Sequence, residues 1–158
     1  LKNNPIMKKL LLNLASLLLF LNVTAQYSTP GTGVNWNMDS LVAHSGGVVT
    51  NPASAIYQIS ADLEISETDT LDIFAAITVN LDANVTVTVR GFFFADFFTD
   101  VIFTATNQEQ PYRGFRFEST SEAHFQNTIF SYGGGLKVLT PNFTMQFCTI
   151  HNKDRKST

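Results

Sequence analysis

Apolar and polar residues alternate along most of the chain after residue 58. Residues 59–66 read ISADLEIS, in which each apolar position is followed by a polar one. A period of two is that of a β-strand with one buried face, so we predict a single strand over 59–66. The alternation recurs at 77–81 and 85–89. No window after residue 50 has the apolar spacing of an amphipathic helix, and the pattern predicts an all-β fold.

The parity of the apolar positions shifts along these segments. Apolar residues occupy odd positions up to Val89, and even ones at Phe92 and Phe94, which we predict to point inward; odd positions return at Val101. The breaks between segments are short and polar. Neither Asn-Gly nor Asp-Gly, the pairs that favour tight hairpins, occurs in the chain. The pattern therefore favours stacked coils over a hairpin meander.

An internal repeat supports stacking. Gly114–Phe117 and Gly135–Val138 share the order glycine, apolar, cation, apolar at an offset of 21, and 125–130 resembles 145–150 at an offset of 20. Such a repeat is typical of a solenoid, in which like positions lie about 4.8 Å apart. We predict a right-handed parallel β-helix of about five coils over 57–152. The predicted inward ladders are Phe115 over Leu136, Phe117 over Val138, Phe125 over Met145 and Phe130 over Ile150, with Arg116 over Lys137 outside.

Three of these segments carry a resemblance to a known group of proteins. Val87–Gly91, Val101–Thr104 and Tyr112–Phe117 resemble the V-x-G, I-x-F-T and aromatic-x-G-I-x-F patterns in the opening coils of secreted, pectate-lyase-like parallel β-helix proteins. The resemblance spans about residues 33–152. It implies a cell-surface protein of the kind exported by bacterial type IX secretion. Such relatives have more coils and a carboxy-terminal sorting domain, which implies an N-terminal fragment here.

The amino terminus has the three parts of a secretory signal peptide. Met7–Lys9 is basic, Leu10–Val23 is an apolar run of 14 residues, and Val23–Ala25 offers small residues before a cut. The run is shorter than the roughly 20 residues that span a bilayer, so we expect no transmembrane segment in the mature chain. The expected division is a leader and signal peptide over 1–25, a linker and N-terminal cap over 26–56, coils over 57–152, and a truncated tail over 153–158. The expected location is extracellular or at the cell surface.

Composition narrows the classes of function. The chain has 158 residues, 10 basic against 13 acidic, and shows no basic stripe, so we expect no nucleic-acid partner. A single cysteine, Cys148, excludes an internal disulfide and any multi-cysteine metal site. The final coil carries apolar residues with few residues after it, so we expect self-association through that end.

The candidate ligand-binding residues are two aromatic rings and two cations. Trp36 and Tyr112 stand in polar, turn-like contexts, where exposed rings could stack on sugars or, alternatively, cover the ends of the hydrophobic stack. Arg116 and Lys137 could form a basic pair for an acidic glycan, or simply an exposed strand face. The sequence names no catalytic residue.

The acidic residues are the remaining candidates for metal binding or catalysis. Asp69 and Asp72 belong to an acidic run that could bind Ca²⁺, although solvated charge explains the run equally, and no cofactor is otherwise expected. Asp96 and Asp100 could serve as an acid–base pair or mark a loop. We expect a non-catalytic module for adhesion or glycan binding. The alternative is a polysaccharide-degrading enzyme whose active coils are incomplete in this chain.

Overall fold

The structure is a computed structural model and describes residues 26–151. The expected signal peptide and tail lie outside these residues. One helix, α1 (Met38–His44), accompanies the strands. In chain order the strands are β1 (Tyr27–Ser28), β2 (Asn35–Trp36), β3 (Val49–Ala53), β4 (Ile56–Ile59), β5 (Leu63–Ile65), β6 (Thr70–Ile73), β7 (Thr78–Leu81), β8 (Thr86–Val89), β9 (Phe92–Ala105), β10 (Gly114–Phe117), β11 (Glu122–Ser131), β12 (Leu136–Val138), β13 (Phe143–Gln146) and β14 (Thr149–His151).

The strands stack as a parallel solenoid of about four turns, against the roughly five coils predicted. One sheet has five strands in the order β1-β5-β8-β10-β12. The other has nine strands in two arms that share β9 and β11. In the first arm β2 and β6 lead to residues 92–95 of β9, and in the second β4 and β7 lead to residues 102–105. The predicted all-β fold of stacked parallel coils is confirmed.

The interior is built from the predicted ladders. Phe115 pairs with Leu136 and Phe117 with Val138, in the register that the repeat predicted. Phe115 and Phe117 are buried, whereas Leu136 is half-buried and Val138 is 38% exposed, because no described strand pairs with the far edge of β12. The predicted pairs of Phe125 with Met145, Phe130 with Ile150 and Arg116 with Lys137 are also confirmed.

The single strand predicted over 59–66 is wrong. The structure has two strands there, β4 and β5, in different sheets, with a corner at residues 60–62 between them. Ile59, Leu63 and Ile65 are nevertheless all buried. Both sides of a coil face the same interior, so the alternation continues through a corner and does not locate it.

The inward direction predicted for Phe92 and Phe94 is also wrong. Phe93 and Ala95 are buried, since they pair with the inward residues Leu71 and Ile73 of the preceding coil. The odd parity runs without a break through buried Val89 and Gly91. Phe92 and Phe94 therefore point outward and are half-buried, although their size and apolarity are those of core residues.

Helix α1 and strand β3 lie at the N-terminal end of the stack. Asn37 and Ser40 form a capping box at the start of α1. Two residues of the helix, Met38 and Leu41, are buried. Strand β3 runs antiparallel to β4. The helix has seven residues, too few for its apolar spacing to stand out in the sequence. Within residues 26–151, no helix has the length and apolarity needed to cross a membrane.

Apolar side chains are exposed in the last described coil. Phe147 is 82% exposed, Ile150 46% and Leu139 45%. Strands β12, β13 and β14 each pair with a strand on one side only among the described residues. Open strand edges with apolar side chains are sites of intermolecular pairing.

We therefore expect residues 26–158 to self-associate as concentration rises. Sedimentation velocity over a wide range of protein concentrations measures this. Replacing Phe147 and Ile150 with serine should restore the monomer, while Val34→Ser, an exposed position at the other end, should not. A wild-type chain that stays monomeric throughout would show that the last coil is covered.

Candidate ligand-binding face

The outward side chains of the first arm of the nine-stranded sheet form three aligned rows. Alternate residues of β6, β9, β11 and β13 point away from the core, and pairing between the parallel strands places them in line from coil to coil. We name this surface the acid–aromatic face. Its rows are Thr70–Phe92–Glu122, Asp72–Phe94–His124–Thr144 and Asp96–Gln126–Gln146.

Three rings pack together on this face, two of them along β9 and one on β11. The rings of Phe92 and Phe94 are 6.3 Å apart between centroids with an interplanar angle of 29°, and those of Phe94 and His124 are 5.4 Å apart at 28°. Glu122 Oε1 lies 3.0 Å from His124 Nε2, and Thr144 Oγ1 lies 2.5 Å from Nδ1. One neutral tautomer satisfies both contacts, with Nε2–H donating to Glu122 and Nδ1 accepting from Thr144. These contacts fix the imidazole plane beside Phe94.

A cleft of about 410 Å³ opens where this face meets the N-terminal cap. Its polar lining includes Asn35, Asp39, Tyr57 and Asp72. Trp36 forms part of the wall, and Phe74, 58% exposed, stands at the cleft. Asp72 belongs to both the cleft and the second row of the acid–aromatic face, so the two are continuous.

The electrostatics of the cleft are set by two carboxyl groups. Tyr57 donates a hydrogen bond to Asp39 Oδ1 at 2.7 Å. Burial and this bond to an anion raise the pKa of the Tyr57 phenol, which therefore stays protonated as a donor. Burial also raises the pKa of Asp72. An ammonium or hydroxyl donor that reached Asp72 would stabilise its ionised form.

Asp69 holds the loop that leads into the cleft. Its carboxylate is fully buried and accepts hydrogen bonds from the backbone N–H groups of residues 31–34 at 2.8 to 3.0 Å. Trp36 Nε1 donates a further bond at 3.3 Å. Burial alone would raise the pKa of Asp69, but the bonds from Val34 and Thr29, followed by the other backbone donors, lower it. N–H groups that converge on a carboxylate turn their positive ends toward it. Such surroundings stabilise Asp69 as a buried structural anion and do not favour a bound cation.

The expectation that Trp36 and Tyr112 are exposed rings is wrong. Trp36 is 6% exposed and Tyr112 2%. The Tyr112 ring covers Gly133, where an added Cβ would lie 2.1 Å from Tyr112 Cζ, so glycine makes room for the ring. Burial raises the pKa of Tyr112. Trp36 still contributes to the cleft wall, whereas Tyr112 packs in the core, and a ligand role for either stays a prediction.

Arg116 and Lys137 lie on the other sheet. They are neighbours in the pairing of β10 with β12, and Arg116 Nε is 2.5 Å from Glu118 Oε1. That hydrogen bond raises the pKa of Arg116 and is the main cause that lowers the pKa of Glu118. Arg116 is therefore paired within its own strand region rather than converging on the aromatic rings. A ligand role for the two cations also stays a prediction.

Other candidates are dispersed. Asp96 and Asp100 flank a stretch of β9 that lacks partners in β11, because pairing moves from Asp96 to Val101. Asp96 instead borders a hollow of about 130 Å³ with His124 and Gln126. Within residues 26–151 no three His, Cys, Asp or Glu side chains gather as a metal site. A Ca²⁺-binding role for Asp69 or Asp72 stays a prediction.

Sequence reasoning missed the acid–aromatic face. The size and apolarity of Phe92 and Phe94 favour a place in the core, and Asp39 and Tyr57 lie too far apart in the chain to form a local motif. The available signal was the odd parity through Gly91, which already placed both phenylalanines outside. Comparison of the chain with protein-family models, curated proteins and solved structures finds no match.

Proposed function

We propose that this protein is a secreted or cell-surface, non-catalytic module that binds a glycan on its acid–aromatic face. The observation that carries the proposal is the cluster of outward rings: Phe92 and Phe94 lie along β9, His124 lies beside Phe94 on the next coil, and the row of Phe94 continues through Asp72 to a cleft with a further exposed ring. Aromatic rings bury a large area at little entropic cost and suit the apolar faces of sugars.

The surrounding polar groups support the same ligand. Hydrogen-bond acceptors and donors flank the rings: Asp72 and Thr144 lie in the row of Phe94, and Gln126 and Gln146 lie in the next row. Sugar hydroxyls need both kinds of partner once they leave water. A linear chain lying across the coils would meet rings and polar groups along its length, as adhesion to a polymer requires.

We expect a Phe74→Ala, Phe94→Ala double variant to lose glycan affinity by about tenfold, because each ring contact contributes about 0.5–1 kcal/mol. Calorimetric titration with neutral, acidic and amino-sugar oligosaccharides measures this. Both side chains point outward, so the variant should stay folded, with an unfolding midpoint only slightly below that of the wild type.

The matched control is an Arg116→Ala, Lys137→Ala double variant, which changes the outer side of the five-stranded sheet. It should bind as the wild type does. If this variant loses glycan binding and the phenylalanine variant keeps it, then Arg116 and Lys137 form the binding site, and the assignment of binding to the acid–aromatic face is wrong. If the wild type and both variants bind none of the three sugar classes, the proposed function is refuted.

A polysaccharide-degrading enzyme is the second candidate, and the cleft is what favours it. Asp39 and Asp72 share the cleft, and a carboxyl group with a raised pKa is suited to acid catalysis. We expect no reducing-end or unsaturated product when the protein is incubated with acidic and neutral polysaccharides, with or without Ca²⁺. Product that disappears in Asp72→Asn would replace the binding proposal with the enzyme.

A further inference from the structure

Charge is divided between the two sheets. All four Lys and Arg residues among 26–151 belong to or adjoin the five-stranded sheet: Arg90, Arg113, Arg116 and Lys137. The strands of the nine-stranded sheet contain neither Lys nor Arg. They contain Asp72, Asp96, Asp100 and Glu122, and Asp39 joins them at the cleft. A ligand of the acid–aromatic face therefore meets an excess of negative charge.

The carboxylates lie beside the rings, one in each of the three rows of the acid–aromatic face. Asp72 pairs with Phe94, Glu122 pairs with Phe92, and Asp96 lies two residues after Phe94 on the same face. They belong to three successive strands of the stack, β6, β9 and β11, whose spacing is about 4.8 Å. An ammonium group beside a ring and a carboxylate is attracted twice, by the electron-rich face of the ring and by the negative charge of the carboxylate.

We infer that the glycan bound by this face is a chain of amino sugars with free, protonated amines, and that the face discriminates against uronic acid chains. The inference rests on the proposed function. Amines repeated along a polymer that crosses the face would come close to carboxylates on three successive coils, those of Asp72, Asp96 and Glu122. The carboxylates of a uronate chain would meet like charges there. Discrimination thus comes from repulsion of the wrong ligand as well as attraction of the right one.

Three hexasaccharides test this by calorimetric titration: glucosamine, N-acetylglucosamine and galacturonic acid, each at low salt. The glucosamine hexamer should bind about tenfold more tightly than the acetylated hexamer, since several exposed ion pairs each add a few tenths of a kcal/mol to 1 kcal/mol. The galacturonate hexamer should bind most weakly. Raising the salt to about 0.5 M should remove most of the difference between the first two, because it screens the charges.

An Asp72→Asn, Asp96→Asn double variant separates charge from shape. It should lose about tenfold in affinity for the glucosamine hexamer and much less for the acetylated one, so that the preference between the two hexamers largely disappears. A Glu67→Gln, Asp62→Asn variant makes the same change in net charge at exposed positions away from this face and should bind as the wild type does. Both variants are isosteric, and unfolding midpoints equal to the wild type's show that each is folded.

The outcomes distinguish the two proposals. Equal affinity for the glucosamine and acetylated hexamers, or tightest binding of galacturonate, would overturn the inference and leave glycan binding in place. Absence of binding by all three would overturn both. A glucosamine preference that persists in the Asp72→Asn, Asp96→Asn variant would overturn the assignment of the preference to these carboxylates.

Discussion

Phe117→Asp should prevent the chain from folding. Phe117 is fully buried, and its ring lies 4.9 Å from that of Phe143 and 5.7 Å from that of Phe125 between centroids. Removing a buried phenylalanine ring alone costs about 3–5 kcal/mol. Burying an unpaired carboxylate adds to that cost. The sum approaches the whole stability of a typical domain, about 5–15 kcal/mol.

Far-ultraviolet circular dichroism and urea titration measure the result. The wild type should unfold cooperatively, and the Phe117→Asp variant should show no folded baseline. Phe147→Asp is the matched control, because Phe147 is 82% exposed and its replacement should leave the urea midpoint nearly unchanged. A Phe117→Asp chain with the wild-type midpoint would contradict the inward ladder of Phe117 with Val138.

Asp69→Asn should cost roughly 3 kcal/mol of unfolding free energy at neutral pH. The wild-type carboxylate accepts bonds from Gly31 and Trp36 on Oδ2 and from other backbone donors on Oδ1. An amide can present only one acceptor atom, so its NH₂ group would face N–H donors on one side. The segment that carries Trp36 into the cleft wall would lose its anchor, and glycan affinity should fall with it.

The pH dependence of this effect follows from the lowered pKa of Asp69. A carboxyl group whose pKa is lower in the folded chain than its ordinary value of 3.8 stabilises the fold above that value. That contribution is lost as pH falls through the lower, folded-state pKa. The difference in stability between wild type and Asp69→Asn should therefore be full at pH 7 and shrink below about pH 4.

Urea midpoints at a series of pH values measure that difference. Glu67→Gln is the control, since Glu67 is exposed and its loss should not change the midpoint at pH 7. An Asp69→Asn chain as stable as the wild type at pH 7 would show that the buried carboxylate is not the anchor of residues 31–34.

The ladders of the core were predictable because they are repeated locally. Two copies of glycine, apolar, cation, apolar set the register of β10 against β12, and stacking then determined which residues share a ladder. Corners were not predictable, because Ile59 and Leu63 face the same interior from different sheets. Helix α1 is too short to produce a periodic signal.

The candidate site was less accessible to sequence reasoning than the core. The apolar character of Phe92 and Phe94 predicts that they are buried in the core. The register of β9 with β6 instead places Phe93 and Ala95 in the core. The cleft joins Asp39, Tyr57 and Asp72 from three separate elements, and only the stacking of coils on the cap brings them together. The position of Trp36 before the first coil favoured a role in the cap of the solenoid over an exposed ring, and the ring is buried there.

The most direct test of glycan binding on the acid–aromatic face is an amide NMR titration with the glucosamine hexamer, on residues 26–158 carrying Phe147→Ser and Ile150→Ser so that the chain stays monomeric. Binding on this face should produce concentration-dependent shifts of the amide signals of residues 70–74, 92–96 and 122–126. The amide signals of residues 86–89 and 114–117 of the five-stranded sheet should not shift. Shifts confined to those five-stranded positions, or no shifts at a ligand concentration that saturates calorimetric binding, would contradict it.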